Sequence, residues 1–184
     1  VATVPSDALQ SAGEVELQNA SVKLDQAVLD QLGSDDVTIS AETLEDELLD
    51  AILDKMSEDD KAKLGSGAIF NFTLSQNGDL VANFDGKITV TVPFTLEDGM
   101  DPDNIAIWYI DDNGNPASYP ATYCEIDGQG YAIFETNHFS YYTVIRMSPA
   151  ERCELYGHKY ETTTVPAMCN EQGYKMDVCK MCKD

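Results

Sequence analysis

The residues best equipped for chemistry gather near the end of this chain. Cys153, Cys169, Cys179 and Cys182 are four of its five cysteines and fall with His158 in the last 32 residues. Thiols and an imidazole at these spacings support two chemistries. Cys179 and Cys182, two residues apart, form one half of a tetrahedral zinc site, and Cys153 with His158 offers a looser second half. The same thiols can instead close disulfides, Cys169 with Cys179 across a hairpin centred on Gly173 and Cys153 with Cys182. That is one of three pairings open to four cysteines. An oxidising compartment favours the disulfides, and no cofactor is expected. Cys124, on a strand-like run, reads as a buried free thiol.

Outside the tail the only side chain that titrates near neutrality is His138. It is followed by Phe139 and Ser140. No Gly-x-Ser-x-Gly elbow accompanies it, so an ordinary serine hydrolase is not indicated. With 33 acids, chance carboxylate pairs are unavoidable and none is singled out. Two acidic loops have a faint calcium-binding character, one with Asp98, Asp101 and Asp103, the other with Asp111, Asn113 and Asn115. In the second, Gly114 is the fourth residue from Asp111 rather than the sixth, and no bidentate Glu follows. Both loops therefore read as turns. Trp108, Tyr109, Tyr119, Tyr123 and Tyr131 cluster in one sheet region, where core and cross-strand packing is the expected role rather than a carbohydrate platform.

These residues need a frame, and residues 87–147 supply its pattern. Five short runs rich in β-branched and aromatic residues alternate with turn residues, as in an antiparallel β-sandwich. Upstream, Val15 and Leu17, then Val22 and Leu24, alternate with polar residues as in half-buried strands. Ser6 or Asp7 is placed to cap a short helical turn, and Asp25 opens a helix over 26–32 that Gly33 ends. Residues 37–40 read as a strand. Leu44, Leu48, Leu49, Ile52, Leu53 and Met56 recur at helical spacing within 43–65, with a restart at Ser57 and a stop at Gly65. Residues 68–74 and 80–84 read as strands joined around Asn77-Gly78, a strong hairpin signal. The fold class is thus mainly β, a sandwich with one or two crossover helices and a small cysteine-rich C-terminal hairpin unit.

Charge divides the chain in the same place. Residues 1–147 hold 27 acids and six bases, and 148–184 hold six acids and five bases. A body with a net charge of −21 repels nucleic acid and anionic lipid, and no apolar run is long enough to cross a bilayer. Two units follow, a sandwich over 1–147 and a cysteine-rich unit over 148–184. The tail's apolar residues are few, chiefly Leu155, Val165, Met168, Met176, Val178 and Met181, so it calls for staples.

The segments 90–96, 103–111 and 134–142, the last containing Asn137-His138-Phe139-Ser140-Tyr141-Tyr142, resemble a module of clostridial and other Gram-positive cell-surface proteins. The His-Phe-Ser strand ending is similar to that of the zonula-occludens/netrin-receptor type of β-sandwich. The tail is similar to short cysteine-rich repeats of bacterial secreted proteins. The surface-module resemblance implies a non-catalytic structural or adhesive part of a larger extracellular or cell-surface protein. Its partners would be neighbouring domains, cell-wall polysaccharide or a host protein. The His-Phe-Ser resemblance implies an alternative, cleavage of the chain between Phe139 and Ser140. There His138 would deprotonate Ser140, whose hydroxyl attacks the Phe139 carbonyl, and the resulting ester would be hydrolysed.

Overall fold

The computed structural model describes all residues except Gly65, Ser66, Met168, Asn170, Glu171 and Asp184, together with all side chains but those of Ser6, Asp7 and Ala12 within the described elements. The first helix begins at Ser6 with Pro5 at its N-cap, so neither Ser6 nor Asp7 holds the expected cap position. The stop at Gly65 and the contribution of Met168 lie outside the described residues. The chain divides into two compact units, Val1–Arg146 and Met147–Asp184.

In the first unit the elements run β1 (Ala2–Val4), α1 (Ser6–Ala12), β2 (Glu14–Glu16), β3 (Ser21–Leu24), α2 (Gln26–Leu32), β4 (Val37–Thr43), α3 (Asp46–Leu53) and α4 (Glu58–Leu64). They continue with β5 (Ile69–Gln76), β6 (Asp79–Leu80), β7 (Asn83–Pro93), a 3-10 turn at Pro102–Asn104, β8 (Ile105–Ile110), β9 (Pro116–Pro120), β10 (Thr122–Ile126), β11 (Gln129–His138) and β12 (Tyr141–Arg146). One antiparallel sheet has the order β1-β4-β5-β12-β8-β9, with β6 added to β5. The other has the order β10-β11-β7-β3-β2. The mainly β, sandwich-like class read from the alternation is what the protein adopts.

The alternation translates directly into the core. Phe84, Ile88, Val90 and Val92 on β7, and Ala132 and Phe134 on β11, turn inward, while Thr89, Thr91 and Glu135 between them do not. From the other sheet, Ile39, Phe72, Leu74, Ile105, Ile107, Tyr142 and Val144 complete the same cluster. In β8 and β12 the intervening residues are buried too, notably Trp108, Ile110, Thr143 and Ile145. A strand buried on both faces needs a cover over its outer face. The α3–α4 segment has the apolar stripe for this in Ile52, Met56 and Leu64, and α4 packs on β12.

Several boundaries differ from expectation, each for a local reason. β4 runs on to Thr43, so α3 begins only at Asp46, and Leu48 is exposed rather than part of the buried stripe. The strand read over 80–84 is split. Leu80 ends β6, and Phe84 belongs to a long β7 that continues past Gly86. That strand bulges, because its register against β11 jumps between Thr136 opposite Ile88 and His138 opposite Asn83. Asp25, the N-cap of α2, fills the bulge. Its carboxylate accepts from Val28 N at 3.0 Å and Lys87 N at 2.8 Å. β9 carries no strand signal in the sequence, because proline stands at both ends of an edge strand whose side chains are largely exposed.

The second unit consists of α5 (Pro149–Tyr156), β13 (Tyr160–Val165) and β14 (Tyr174–Cys179). Ser148 and Glu151 close a capping box at the start of α5, with Pro149 at its first position. β13 and β14 form the hairpin, with Tyr160 opposite Cys179 and Val165 opposite Tyr174. Gly173 therefore lies at the foot of β14 rather than at a tip between Cys169 and Cys179.

Candidate functional site

Two places hold the residues singled out above. The first is the corner where the chain leaves β11 in one sheet and enters β12 in the other. Phe139 is buried there, its ring 5.1 Å from that of Phe84 and 5.6 Å from that of Phe72. His138 meets Tyr109 edge-on, with ring centroids 4.6 Å apart, and its Nδ1 lies 3.2 Å from Asn137 Oδ1 and 3.4 Å from Thr136 Oγ1. The His138 carbonyl accepts from Thr136 Oγ1 at 2.9 Å and Tyr142 OH at 2.8 Å. A tyrosine hydroxyl returning to the backbone just upstream is a known clamp of β-sandwich corners. Burial lowers the His138 pKa and raises that of Tyr142. The Ser140 carbonyl accepts from Phe72 N at 3.0 Å. No hydrogen bond links His138 to the Ser140 hydroxyl among the described residues. The imidazole is turned to its own strand, so the base and nucleophile of a self-cleaving peptide are adjacent in sequence without being engaged. Beside this corner opens a groove of about 530 Å³, lined in part by Asn71, Asn83, Tyr109, Asp112, His138 and Tyr141.

The second place is the tail. Cys153, on the last turns of α5, and Cys179, at the end of β14, are both buried, and their Sγ atoms are 3.5 Å apart. Gly157 ends the helix with a positive φ of 82°, and the chain turns through His158. His158 Nδ1 lies 3.4 Å from Cys182 Sγ, and its ring stacks on Tyr160. The ligand atoms of Cys153, His158, Cys179 and Cys182 all lie within 4.8 Å of one another. After β14 the chain curls tightly, with Lys183 N donating to Cys179 O at 3.1 Å and Lys183 at φ 66°. Burial raises the Cys153 thiol. Burial also acts to raise Cys179, but the N–H groups of Cys182 and Met181, with help from His158 and Cys153, outweigh it and favour the thiolate.

The expected disulfides are corrected here. None of the five cysteines is bridged in the structure; Cys169 is exposed in the β13–β14 loop and Cys124 is half-buried rather than buried on β10. The hairpin register explains the first departure. Cys179 stands opposite Tyr160 at the far end from Cys169, which no bridge can span.

The acidic loops spend their carboxylates on their own backbone. Asp111 accepts from Asn113 N at 2.9 Å and Asn115 N at 2.8 Å, and Asp101 from Asp103 N at 2.9 Å. The Asn115 side chain and N–H, with Asn113, hold Asp111 below the usual carboxylate range. Among the described residues, neither loop gathers three acidic groups around one point. Trp108 is buried and donates to Ser118 Oγ at 2.9 Å, a cross-strand pair between β8 and β9.

Sequence reasoning missed the Thr136–Tyr142 clamp. A tyrosine four residues beyond His138 was the available signal. No family model, curated protein or solved structure matches this chain.

Proposed function

We propose that the chain is a non-catalytic structural module of a larger secreted or cell-surface protein, with an acidic sandwich as its scaffold and a separate cysteine-rich appendage. The observation that carries this reading is the use to which the His138–Ser140 corner is put. Phe139 plugs the core between the sheets, the His138 carbonyl is clamped by two hydroxyls, and its imidazole packs on Tyr109. In the sandwich, the described His138–Ser140 residues are thus occupied in joining the two sheets. The test is intact-mass spectrometry of the purified chain. A single species of 20.2 kDa is expected. Two fragments divided at Phe139–Ser140, abolished by Ser140→Ala, would establish the self-cleaving module instead.

A second reading, an adhesive module that binds cell-wall glycan, draws on the groove beside the corner. Its volume of about 530 Å³ is within the roughly 300–1,000 Å³ of small-ligand sites, which combine apolar walls with a few placed polar groups. Co-sedimentation with insoluble cell-wall polysaccharide, lost in Tyr141→Ala, would favour it. Unchanged co-sedimentation in that variant, or none at all, would remove it.

A further inference from the structure

We propose that Cys153, His158, Cys179 and Cys182 form a closed tetrahedral zinc site on which the folding of the C-terminal unit depends. The inference is independent of the function proposed for the sandwich.

Distance is the first argument. Zn–S bonds of about 2.3 Å and Zn–N bonds of about 2.0–2.1 Å in a tetrahedron set neighbouring ligand atoms about 3.6–3.8 Å apart. Cys153 and Cys179 stand at 3.5 Å, Cys182 and His158 at 3.4 Å, and no pair exceeds 4.8 Å. Disulfide sulfurs bond at about 2.0 Å, and a bridge has no use for an imidazole. Yet His158 is gathered into the cluster while the thiol of Cys169 is left exposed.

Backbone construction is the second argument. Sulfurs three residues apart face one point only if the chain between them turns sharply. The turn after β14 does this. Lys183 N donates to Cys179 O at 3.1 Å, and Lys183 takes a positive φ of 66° just past the second cysteine.

The third argument is what the unit lacks. Among its described residues only Met147, Arg152, Cys153 and Cys179 are buried. Leu155, Val165, Val178 and Met181 are half-buried and Met176 is exposed. Two of the four buried side chains are therefore members of the cluster, and the apolar core that would replace a staple is missing. A small unit in that position takes its folding free energy from a metal. Three thiolates and an imidazole suit a soft or borderline ion and exclude calcium and magnesium. Four protein ligands leave no open position, which marks a structural rather than a catalytic centre.

The experiment uses the full chain, reduced, stripped of metal and titrated with Co²⁺ and then Zn²⁺. One Co²⁺ per chain is expected, with the intense visible bands of a tetrahedral centre and sulfur-to-cobalt charge transfer, and Zn²⁺ should bleach both. Cys153→Ser, Cys179→Ser and Cys182→Ser should each weaken binding by more than the roughly 10–100-fold that losing an outer-shell partner costs. Cys124→Ser and Cys169→Ser should bind as the parent does. His158→Cys should keep a tetrahedral site and strengthen the charge-transfer band, a response that a folding defect would not produce. Zn²⁺ should also protect the β13–β14 amides from hydrogen exchange. Weak octahedral cobalt bands, binding that survives Cys153→Ser and Cys182→Ser, or a Cys153–Cys179 disulfide in protein isolated without reductant would each overturn the proposal.

Discussion

Phe139 touches both halves of the sandwich, Phe72 from one sheet and Phe84 from the other. Truncating a buried phenylalanine costs about 3–5 kcal/mol. Phe139→Ala is expected to fall in that range, read as a lowered urea midpoint of Trp108 fluorescence. A loss below about 1 kcal/mol would mean that the corner does not join the sheets. His138 adds a pH dependence. Burial holds its folded pKa below the usual 6.5, so the folded state favours the neutral ring. Its contribution is complete above about pH 6.5 and fades as pH falls through the lowered value. Asp25 and Asp111, with pKa values below 3.8, act only in a more acidic window. His138→Gln should therefore flatten the loss of stability just below pH 6.5 and leave the more acidic limb in place. An unchanged upper limb would assign that limb to another group. At this scale the identities of the chemical residues were legible in the sequence, but their directions were not. Spacing placed Cys153, His158, Cys179 and Cys182 among the candidates, whereas the choice between bridge and metal depends on the β13–β14 register.

Elements were legible where one face is buried. The alternating valines and isoleucine of β7 and the spacing of Val28, Leu29 and Leu32 on α2 each specify a single side. Elements shaped by partners distant in sequence were not. The long β7 spans what the sequence reads as two strands, one ending at Phe84 and the other opening at Lys87, and Gly86 between them makes room for Asp25. A Cβ on Gly86 would lie 2.0 Å from Asp25 Oδ1. Gly86→Ala is accordingly expected to expel the carboxylate, lose its bonds to Val28 N and Lys87 N and lower the urea midpoint. Gly86→Ala combined with Asp25→Ala should cost little more than Asp25→Ala alone. Full additivity in that double-mutant cycle would separate the bulge from the cap.

Across the whole molecule the formal charge is −22, far more than local pairs can answer. The Lys87–Glu135 pair, 2.6 Å apart, is largely exposed on both sides, and such pairs contribute little. Self-repulsion is therefore the main electrostatic force on the sandwich. Raising monovalent salt from about 0.01 M to about 1 M shortens the screening length from about 30 Å to about 3 Å. The melting temperature followed through Trp108 should rise over that range, and a flat or falling trend would show that attractive pairs dominate after all.

The position of β12 has a consequence in time. It is the last strand of the sandwich to be made, yet it lies between β5 and β8, with Tyr141 opposite Asn71 on one side and Ile110 on the other. A chain synthesised only as far as His138 holds β1-β4-β5 and β8-β9 as two fragments, each with an open edge. The sheet cannot be zipped outward from a finished hairpin, because the strand that joins its halves arrives last. Pairing across such separations slows folding and exposes unpaired edges meanwhile. The sheet that contains β5 and β8 therefore closes only once residues 141–146 are available to join its halves.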